Sequence, residues 1–290
     1  MKRFIGTALA VTMLFSVGGC SSSSNSTETT TESTAEATTE SVGDDTSSAD
    51  TGETLPTLSQ DTIIIGLDDE LPPMGFRDEN NEIVGFDIDL AKAVGEKLGV
   101  TVEFQPIDWA AKEIELESGK IDALWNGLTI TDERKETMDI TDPYLQNRQI
   151  IVVKTDSDIQ SKADLEGKVV GLQDGSSAVD AVNADELASA MELTTYDTNI
   201  LALSDLDIGR VDAVVADETF VGYYMAQNEN DFRVIEDGDF GEEYYGIAVK
   251  KGNTELLNAI QAALDELDAD GTAAEISNTW FGEDIYVHKN

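Results

Sequence analysis

The sequence predicts an α/β fold that consists of two similar halves. From residue 62 onward, short apolar runs typical of buried strands alternate with segments of helical spacing, which indicates layers of helices packed on sheets. The alternation starts again near residue 149. In addition, the heptapeptide SGKIDAL at 118–124 is echoed by IGRVDAV at 208–214, and each copy places a glycine turn, a base and an aspartate before an apolar run.

The first half is predicted to run strand, helix, strand, helix, strand. Apolar and β-branched runs predict strands at 62–66, 100–104 and 121–124. Apolar residues recur every three or four positions from 85 to 98, which predicts a helix that ends at Gly99. A second helix is expected to begin at Asp108, a residue type that caps helix N-termini, and to end near 117 before a Ser-Gly pair.

The second half repeats this alternation and adds C-terminal helices. Strands are expected at 149–153, 169–172, 211–216 and 245–250, and helices at 177–187 and 218–227. Apolar residues at helical spacing between 255 and 280 predict one or two further helices.

The N-terminus has the features of a secretion signal. Lys2 and Arg3 precede an apolar run at 4–17 that is short for a transmembrane helix. The run ends in VGGC at 17–20, which resembles the bacterial lipobox, and Cys20 is the only cysteine of the chain. We therefore expect residues 1–20 to be a lipoprotein signal peptide, with lipidation of Cys20 anchoring the protein outside the cell membrane. An ordinary signal followed by an incidental cysteine is the alternative.

Composition predicts a linker and excludes several classes of function. Residues 21–59 are rich in Ser, Thr and Glu and almost free of large apolar residues, so we expect a disordered linker. With 59 acidic and 18 basic residues, the net charge of −41 opposes binding to nucleic acid. A single cysteine and a single histidine, His288, argue against an intrachain disulfide, a cysteine-rich zinc site and histidine-centred catalysis, and we expect no cofactor and no metal.

Seven short motifs follow one another along the two halves. In chain order they are GFDIDL at 85–90, GLTITDER at 127–134, DPY at 142–144, GLQDGSS at 171–177, DAVVAD at 212–217, YGIAV at 245–249 and WFG at 280–282. This series resembles the bacterial extracellular solute-binding proteins of family 3, the polar amino-acid-binding lipoproteins of ABC importers. The resemblance implies a two-lobed periplasmic-binding-protein fold of type II with two hinge strands, near 145–153 and 241–247. Lobe 1 would comprise 60–146 and 246–290, and lobe 2 would comprise 147–245.

The same resemblance implies a site for a free amino acid between the lobes. Arg134 matches the residue that binds the ligand's carboxylate, and a guanidinium suits this role because it pairs bidentately with carboxylates. Asp217, on the other lobe, matches the acid that binds the ligand's ammonium group. The implied lining residues are Gly127, Thr129, Gln173, Ser176 and Ser177. Arg134 in a surface ion pair and Asp217 as a helix N-cap are the alternatives.

Other matching positions bear on the side chain of the ligand. Asp68 matches an acid that meets a distal polar or cationic group, and Trp109 an aromatic that packs on the ligand's aliphatic stem. Glu70 lies in the same loop as Asp68, and Leu71 stands where relatives often have an aromatic residue. These acids favour a cationic amino acid such as arginine, lysine or histidine, with a neutral polar ligand such as glutamine or cystine as the alternative.

Two further residues, Glu113 and Asn126, are candidate pocket groups, with an intraprotein salt bridge or a solvated surface as the favoured alternative for both. As a whole, the resemblance implies a monomeric protein without enzymatic activity that delivers an amino acid to the permease and ATPase of an ABC transporter. A sensory amino-acid-binding module is the alternative. A cyclohexadienyl dehydratase-like enzyme, which would share the fold, is a remote one.

Overall fold

The computed structural model describes residues 55–228 and 231–289, so the predicted signal peptide, Cys20 and most of the predicted linker lie outside the described residues. The strands of this part are β1 (Thr62–Leu67), β2 (Glu70–Leu71), β3 (Gly75–Arg77), β4 (Ile83–Val84), β5 (Thr101–Pro106), β6 (Ala123–Leu124), β7 (Met138–Ile140), β8 (Leu145–Lys154), β9 (Val169–Gln173), β10 (Glu192–Tyr196), β11 (Ala213–Asp217), β12 (Phe232–Val234), β13 (Glu242–Tyr245) and β14 (Ala248–Lys250). The helices are α1 (Phe86–Leu98), α2 (Lys112–Ser118), α3 (Asp132–Thr137), α4 (Ser177–Asn183), α5 (Asn199–Asp207), α6 (Glu218–Gln227), α7 (Thr254–Ala269) and α8 (Thr272–Phe281).

Two mixed sheets with the same internal order form the two lobes. The first sheet has the order β5-β1-β6-β14-β7, and the second has the order β10-β9-β11-β8-β12. In both, the first three strands are parallel to one another and the last two join by antiparallel pairing. The prediction of two similar α/β halves is confirmed.

The echoed heptapeptides occupy equivalent places in the two sheets. Asp122 accepts a hydrogen bond from the backbone N–H of Ile64 at 2.8 Å, and its own N–H donates to the carbonyl of the same residue at 2.7 Å. Asp212 makes the corresponding pair of bonds with Val169, at 2.9 and 2.8 Å. The repeat therefore encodes the junction at which a helix returns to the central parallel strand of each sheet.

Two antiparallel strands connect the sheets. The residue pairs Leu145 with Tyr245 and Asn147 with Glu243 face each other between β8 and β13, and β8 then continues into the second sheet. After β13 the chain returns to the first sheet through β14. The two predicted hinge strands are confirmed.

The C-terminal helices pack on the first lobe. The predicted inner stripe of α7 is buried and consists of Leu256, Ile260, Leu264 and Leu267. Burial of one such side chain stabilises a fold by roughly 1.5–3 kcal/mol. Gly271 has a left-handed backbone, with φ of 86°, and separates α7 from α8. The indole of Trp280 then donates to a carboxylate oxygen of Asp89 on α1 at 2.9 Å, which fixes α8 against the first lobe.

Some element boundaries differ from the predicted ones. Asp108 does cap a helical segment, accepting from the N–H of Ala110 at 3.0 Å, but the first turn is a 3-10 turn and α2 begins only at residue 112. Helix α4 ends at residue 183, four residues earlier than predicted. At the N-terminal side, Leu55 and Leu58 are partly buried against the core although they belong to the predicted linker. Removal of their apolar side chains from water is favourable and explains this packing.

Candidate functional site

A narrow cleft between the two sheets collects nine of the predicted site residues. The residues that line it are Leu71, Trp109, Gly127, Thr129, Arg134, Gln173, Ser176, Ser177 and Asp217. They come from loops and helix starts of both lobes, and most of the polar ones are buried. Polar groups from distant parts of the sequence thus converge on one small volume.

Arg134 is a buried cation at this cleft. It lies on α3, whose N-cap Thr131 accepts from the Arg134 N–H at 3.1 Å. The guanidinium donates to two backbone carbonyls, that of Thr129 at 2.8 Å and that of Gly175 at 3.3 Å. Burial lowers the pKa of Arg134, because a desolvated cation is disfavoured. Within the described residues no carboxylate lies in ion-pair distance of it, so the side chain is available to pair with an anion.

Asp217 is a buried acid on the opposite wall. It stands between β11 and α6, but its side chain makes no capping hydrogen bond, which argues against the N-cap alternative. One carboxylate oxygen instead accepts three hydrogen bonds. These are from the hydroxyl of Tyr245 at 2.8 Å, from Nδ2 of Asn147 at 2.7 Å and from Nε2 of Gln149 at 2.8 Å. Among the described residues, no nitrogen or hydroxyl group donates to the other oxygen.

A second carboxylate, that of Glu243, stands next to Asp217. The same two amide nitrogens that donate to Asp217 also donate to Oε1 of Glu243, Asn147 at 2.7 Å and Gln149 at 2.9 Å. Burial, followed by the negative charge of Glu243, raises the pKa of Asp217 to about 8. The cleft therefore has a cationic end at Arg134 and an acidic end at the two carboxylates.

Direct hydrogen bonds cross the cleft between its walls. They join the hydroxyls of Thr129 and Ser177 at 2.9 Å, Nε2 of Gln173 and Oδ2 of Asp68 at 2.6 Å, and Nζ of Lys112 and the carbonyl oxygen of Gly175 at 2.7 Å. The two lobes are thus held together around the cleft by side chains of the site itself.

An acidic recess continues outward from the cleft. It is lined by Asp68, Asp69, Glu70, Ile107, Asp108, Trp109, Asp197 and Thr198, which include five acids and no base. Trp109 lines both the recess and the cleft. Burial raises the pKa of Asp68 to about 6. This recess favours a cation at the end of an elongated group whose other end lies in the cleft.

Four predicted residues do not line the cleft. Asp68 and Glu70 line the recess instead. Glu113 is exposed on α2, as the solvated-surface alternative expects. Asn126 is fully buried, yet neither polar atom of its side chain has a hydrogen-bond partner among the described residues, and it does not line the cleft.

Sequence reasoning missed the residues that surround Asp217. They are Asn147, Gln149, Thr219, Glu243 and Tyr245, all of which hydrogen-bond to the acid or to one another. One signal was present: in β8 the buried positions alternate, and two of them carry amides instead of apolar side chains. The contacts of these amides with Glu243 and Tyr245 on β13 depend on the register between the two strands, which cannot be derived from the sequence.

A larger groove lies elsewhere, between α6 and α8. Its volume is about 820 Å³, and its lining includes the aromatic rings of Tyr223, Trp280 and Phe281. The one base in this lining, Arg148, is already paired with Glu218 at 2.7 Å. We assign the functional site to the smaller cleft, because buried polar groups of opposite charge converge only there among the described residues.

Among the described residues, no helix combines the length and the hydropathy that a membrane span requires. No group of three or more His, Cys, Asp or Glu side chains in this part is arranged to hold a metal ion.

Comparison with known proteins places these features in context. The family model described as bacterial extracellular solute-binding proteins, family 3, matches residues 63–283. The L-cystine-binding protein TcyJ of Escherichia coli (strain K12) is 31% identical over 241 residues, which cover 82% of this chain and 90% of that protein.

Solved structures show the same similarity. An ABC uptake transporter substrate-binding protein from Streptococcus pneumoniae with bound histidine is 39% identical, with a TM-score of 0.75, covering 78% of this chain and 95% of the other. An ancestral arginine-binding protein bound to arginine is 45% identical, with a TM-score of 0.73, covering 77% of this chain and 99% of the other. Both the sequence and the fold of the two lobes are therefore shared with proteins that bind amino acids.

Proposed function

The chain belongs to family 3 of the bacterial extracellular solute-binding proteins, and we propose that it captures a free amino acid between its lobes and delivers it to an ABC transporter. The observation that carries the proposal is the pair formed by Arg134 and Asp217. These are a buried cation and a buried acid on opposite walls of one cleft. A free α-amino acid carries the complementary carboxylate and ammonium groups on the same carbon atom.

In this proposal Arg134 binds the carboxylate and Asp217 binds the ammonium group. Thr129, Ser176 and Ser177 border the carboxylate end, and the carbonyl of Gly127 contributes an acceptor for the ammonium group. Because each pole of the solute is held by a different lobe, binding favours the closed arrangement through its higher affinity for that state.

We propose a cationic side chain for the solute. Trp109 connects the cleft to the acidic recess, and its ring offers an apolar surface for an aliphatic stem. Asp68 and Glu70 then meet the terminal cation. The similar proteins with bound histidine and arginine support this class.

A neutral polar solute is the second candidate. The observation in its favour is Gln173, whose amide nitrogen already donates to Asp68 at 2.6 Å and thereby satisfies part of the acid. The similarity to a cystine-binding protein points in the same direction.

Binding assays with the full set of solutes test the proposal. The protein without its first 20 residues is screened by thermal shift against the twenty amino acids and cystine, and hits are measured by calorimetry. A solute that binds only the folded state raises the melting temperature by mass action. We expect arginine, lysine or histidine to give the largest shift. A screen in which no amino acid shifts the melting temperature or produces heat would remove the proposal.

We propose that the protein works as a monomer, anchored at the outer face of the cell membrane. Lipidation of Cys20 would anchor it, residues 21–59 would form the linker, and the lobes would comprise 60–146 with 246–290 and 147–245. The match to an extracellular family supports this location. The variant Cys20→Ala should move from the detergent phase to the aqueous phase on detergent partitioning of whole cells. Retention of the variant in the detergent phase would exclude anchoring by lipid at this residue.

We also propose that the solute leaves unchanged and that a cognate permease and ATPase receive it. The family consists of solute-binding proteins, and this weighs against a dehydratase. Incubation with prephenate or arogenate should yield no aromatic product. Transport of labelled solute by cells should require both this protein and the permease; a sensory module would bind the solute without supporting uptake.

A further inference from the structure

Glu243 forms a compact acid pair with Asp217 that simple recognition of one ammonium group does not require. Two amide side chains, Asn147 and Gln149, each donate to both carboxylates at 2.7–2.9 Å. The amides therefore hold the two acids on a common framework. Glu243 comes from β13 and is partly buried, whereas Glu242 beside it is exposed.

No base among the described residues lies in ion-pair distance of either acid. The titratable and polar groups that face the pair from the surrounding elements are Tyr245 at the end of β13, Asn147 and Gln149 on β8, Thr219 on α6, Ser177 on α4 and Arg134 on α3. Arg134 interacts with the pair only at longer range and donates its hydrogen bonds to backbone carbonyls. Burial, followed by the negative charge of Glu243, raises the pKa of Asp217 to about 8, so at neutral pH the Asp217 carboxyl retains a proton beside the Glu243 carboxylate.

We propose that solute binding displaces this proton, so that the ammonium group of the solute enters a place that a proton occupies beforehand. The inference rests on the proposed function. In the exchange the O–H bond of the pair breaks, the proton passes to water, and N–H donors of the ammonium group replace it between the two carboxylates. The net charge of the acidic end is therefore the same before and after binding, because one positive charge replaces another. Glu243 is therefore a second residue of the ammonium subsite and makes capture dependent on pH.

Calorimetry measures the proposed exchange directly. Titration of the protein with its amino acid at about pH 7, in buffers with different ionisation enthalpies, gives the number of protons released per solute bound. We expect a value close to one. Below the pKa of about 8 of Asp217, release of one proton should make the association constant rise about tenfold per pH unit. Asp68 contributes little at this pH because its pKa of about 6 leaves it mostly ionised.

Two neighbouring variants separate the acid pair from general effects of charge. Glu243→Gln preserves shape but removes one acid, so the pKa of Asp217 should fall and proton release at neutral pH should drop clearly below the wild-type value. Glu242→Gln removes the same charge from the exposed neighbour and should keep the wild-type value. Circular dichroism melts establish that both variants are folded.

The outcomes distinguish this inference from the proposed function. Amino-acid binding with no proton release from the wild-type protein overturns the proton exchange and leaves the function intact. Equal proton release by wild type and a folded Glu243→Gln variant also overturns it. If Glu243→Gln is unfolded, the wild-type measurement alone decides. Absence of any amino-acid binding would contradict the function itself.

Discussion

At the scale of single residues, Arg134 is held ready for an anion by bonds that do not neutralise it. Backbone carbonyls orient the guanidinium but carry no net charge, so the buried cation keeps its need for a counterion. In the proposed function, the carboxylate of the solute supplies this counterion. The hydrogen bonds that orient the unliganded Arg134 therefore also leave its charge available for binding an anion.

The first prediction concerns this residue. Arg134→Ala should weaken amino-acid binding by about 2 kcal/mol or more, roughly 30-fold, because the solute's carboxylate is left buried without a partner. Calorimetry measures the change. The matched control is Arg148→Ala, an arginine in an exposed ion pair with Glu218, which should bind normally. Unchanged affinity in Arg134→Ala would contradict the assignment.

The second prediction concerns Asp68 and pH. Burial raises the pKa of Asp68 to about 6, so the acid is ionised above that pH and loses its charge as the pH falls through it. Affinity for arginine relative to glutamine should therefore fall on acidification from about pH 7 to about pH 5. In Asp68→Asn the ratio should be low and independent of pH.

The ratio serves as an internal control, because a proton released from the pair of Asp217 and Glu243 affects both solutes equally and cancels. Calorimetric titrations of both solutes at each pH provide the numbers. A ratio that is constant over this range in the wild-type protein would exclude Asp68 as the group that selects a cation.

The position of a residue in the cleft could be predicted from sequence where a motif contains the residue, but not where strand pairing brings it there. Arg134 and Asp217 stand inside contiguous motifs, so their position in the cleft could be expected. Glu243 reaches Asp217 only because β13 pairs with β8 in one register. Glu113 and Lys112 illustrate a further limit: these neighbours on α2 differ in burial, and the buried one is the lysine.

At the scale of elements, the third prediction concerns the contribution of the internal repeat to the free energy of unfolding. Asp122 and Asp212 each accept a backbone N–H from the central parallel strand of their sheet. Asp122→Ala and Asp212→Ala should each lower the free energy of unfolding by about 1 kcal/mol, because one charge-assisted hydrogen bond is lost and an N–H is left without it. Urea denaturation measures both.

The control for this third prediction is Asp156→Ala, at an exposed acid outside the repeat, which should change the free energy of unfolding by less than about 0.5 kcal/mol. If Asp122→Ala and Asp212→Ala both behave like this control, the repeated aspartate does not contribute to stability.

Most strands and helices could be predicted because apolar spacing and glycine stops are local signals. The exceptions have local causes as well. Helix α4 stops early, and a 3-10 turn follows at Ala188–Ala190 before β10 begins. The predicted strand at 245–250 is divided between β13 and β14. Gly246 and Ile247 lie between them, where the chain leaves its pairing with β8 and joins the first sheet.

At the scale of the whole molecule, Lys112 is a contact between lobes and not a lining residue of the cleft. Its Nζ donates to the carbonyl oxygen of Gly175 at 2.7 Å, and burial lowers the pKa of Lys112 to about 8. The bond exists only while the walls are together, so it favours closure without touching the solute.

The fourth prediction follows from this contact. Lys112→Met keeps the length and the apolar part of the side chain but removes the bond, so the closed state should lose about 1 kcal/mol and affinity should fall roughly fivefold. Small-angle scattering of the protein without solute should report a larger radius of gyration. The exposed neighbour offers the control Glu113→Gln, which should match the wild type in both measurements. Equal affinity and equal radius in Lys112→Met would contradict the role.

Strand β8 has a further consequence for the cycle of uptake. It connects the lobes, and it also carries Asn147 and Gln149, the amides that secure the two acids. Rotation of one lobe away from the other must bend this strand and shift both amides. We therefore expect that opening of the lobes also weakens the electrostatic interaction between the two acids and the solute. Release of the solute would then require no additional conformational change.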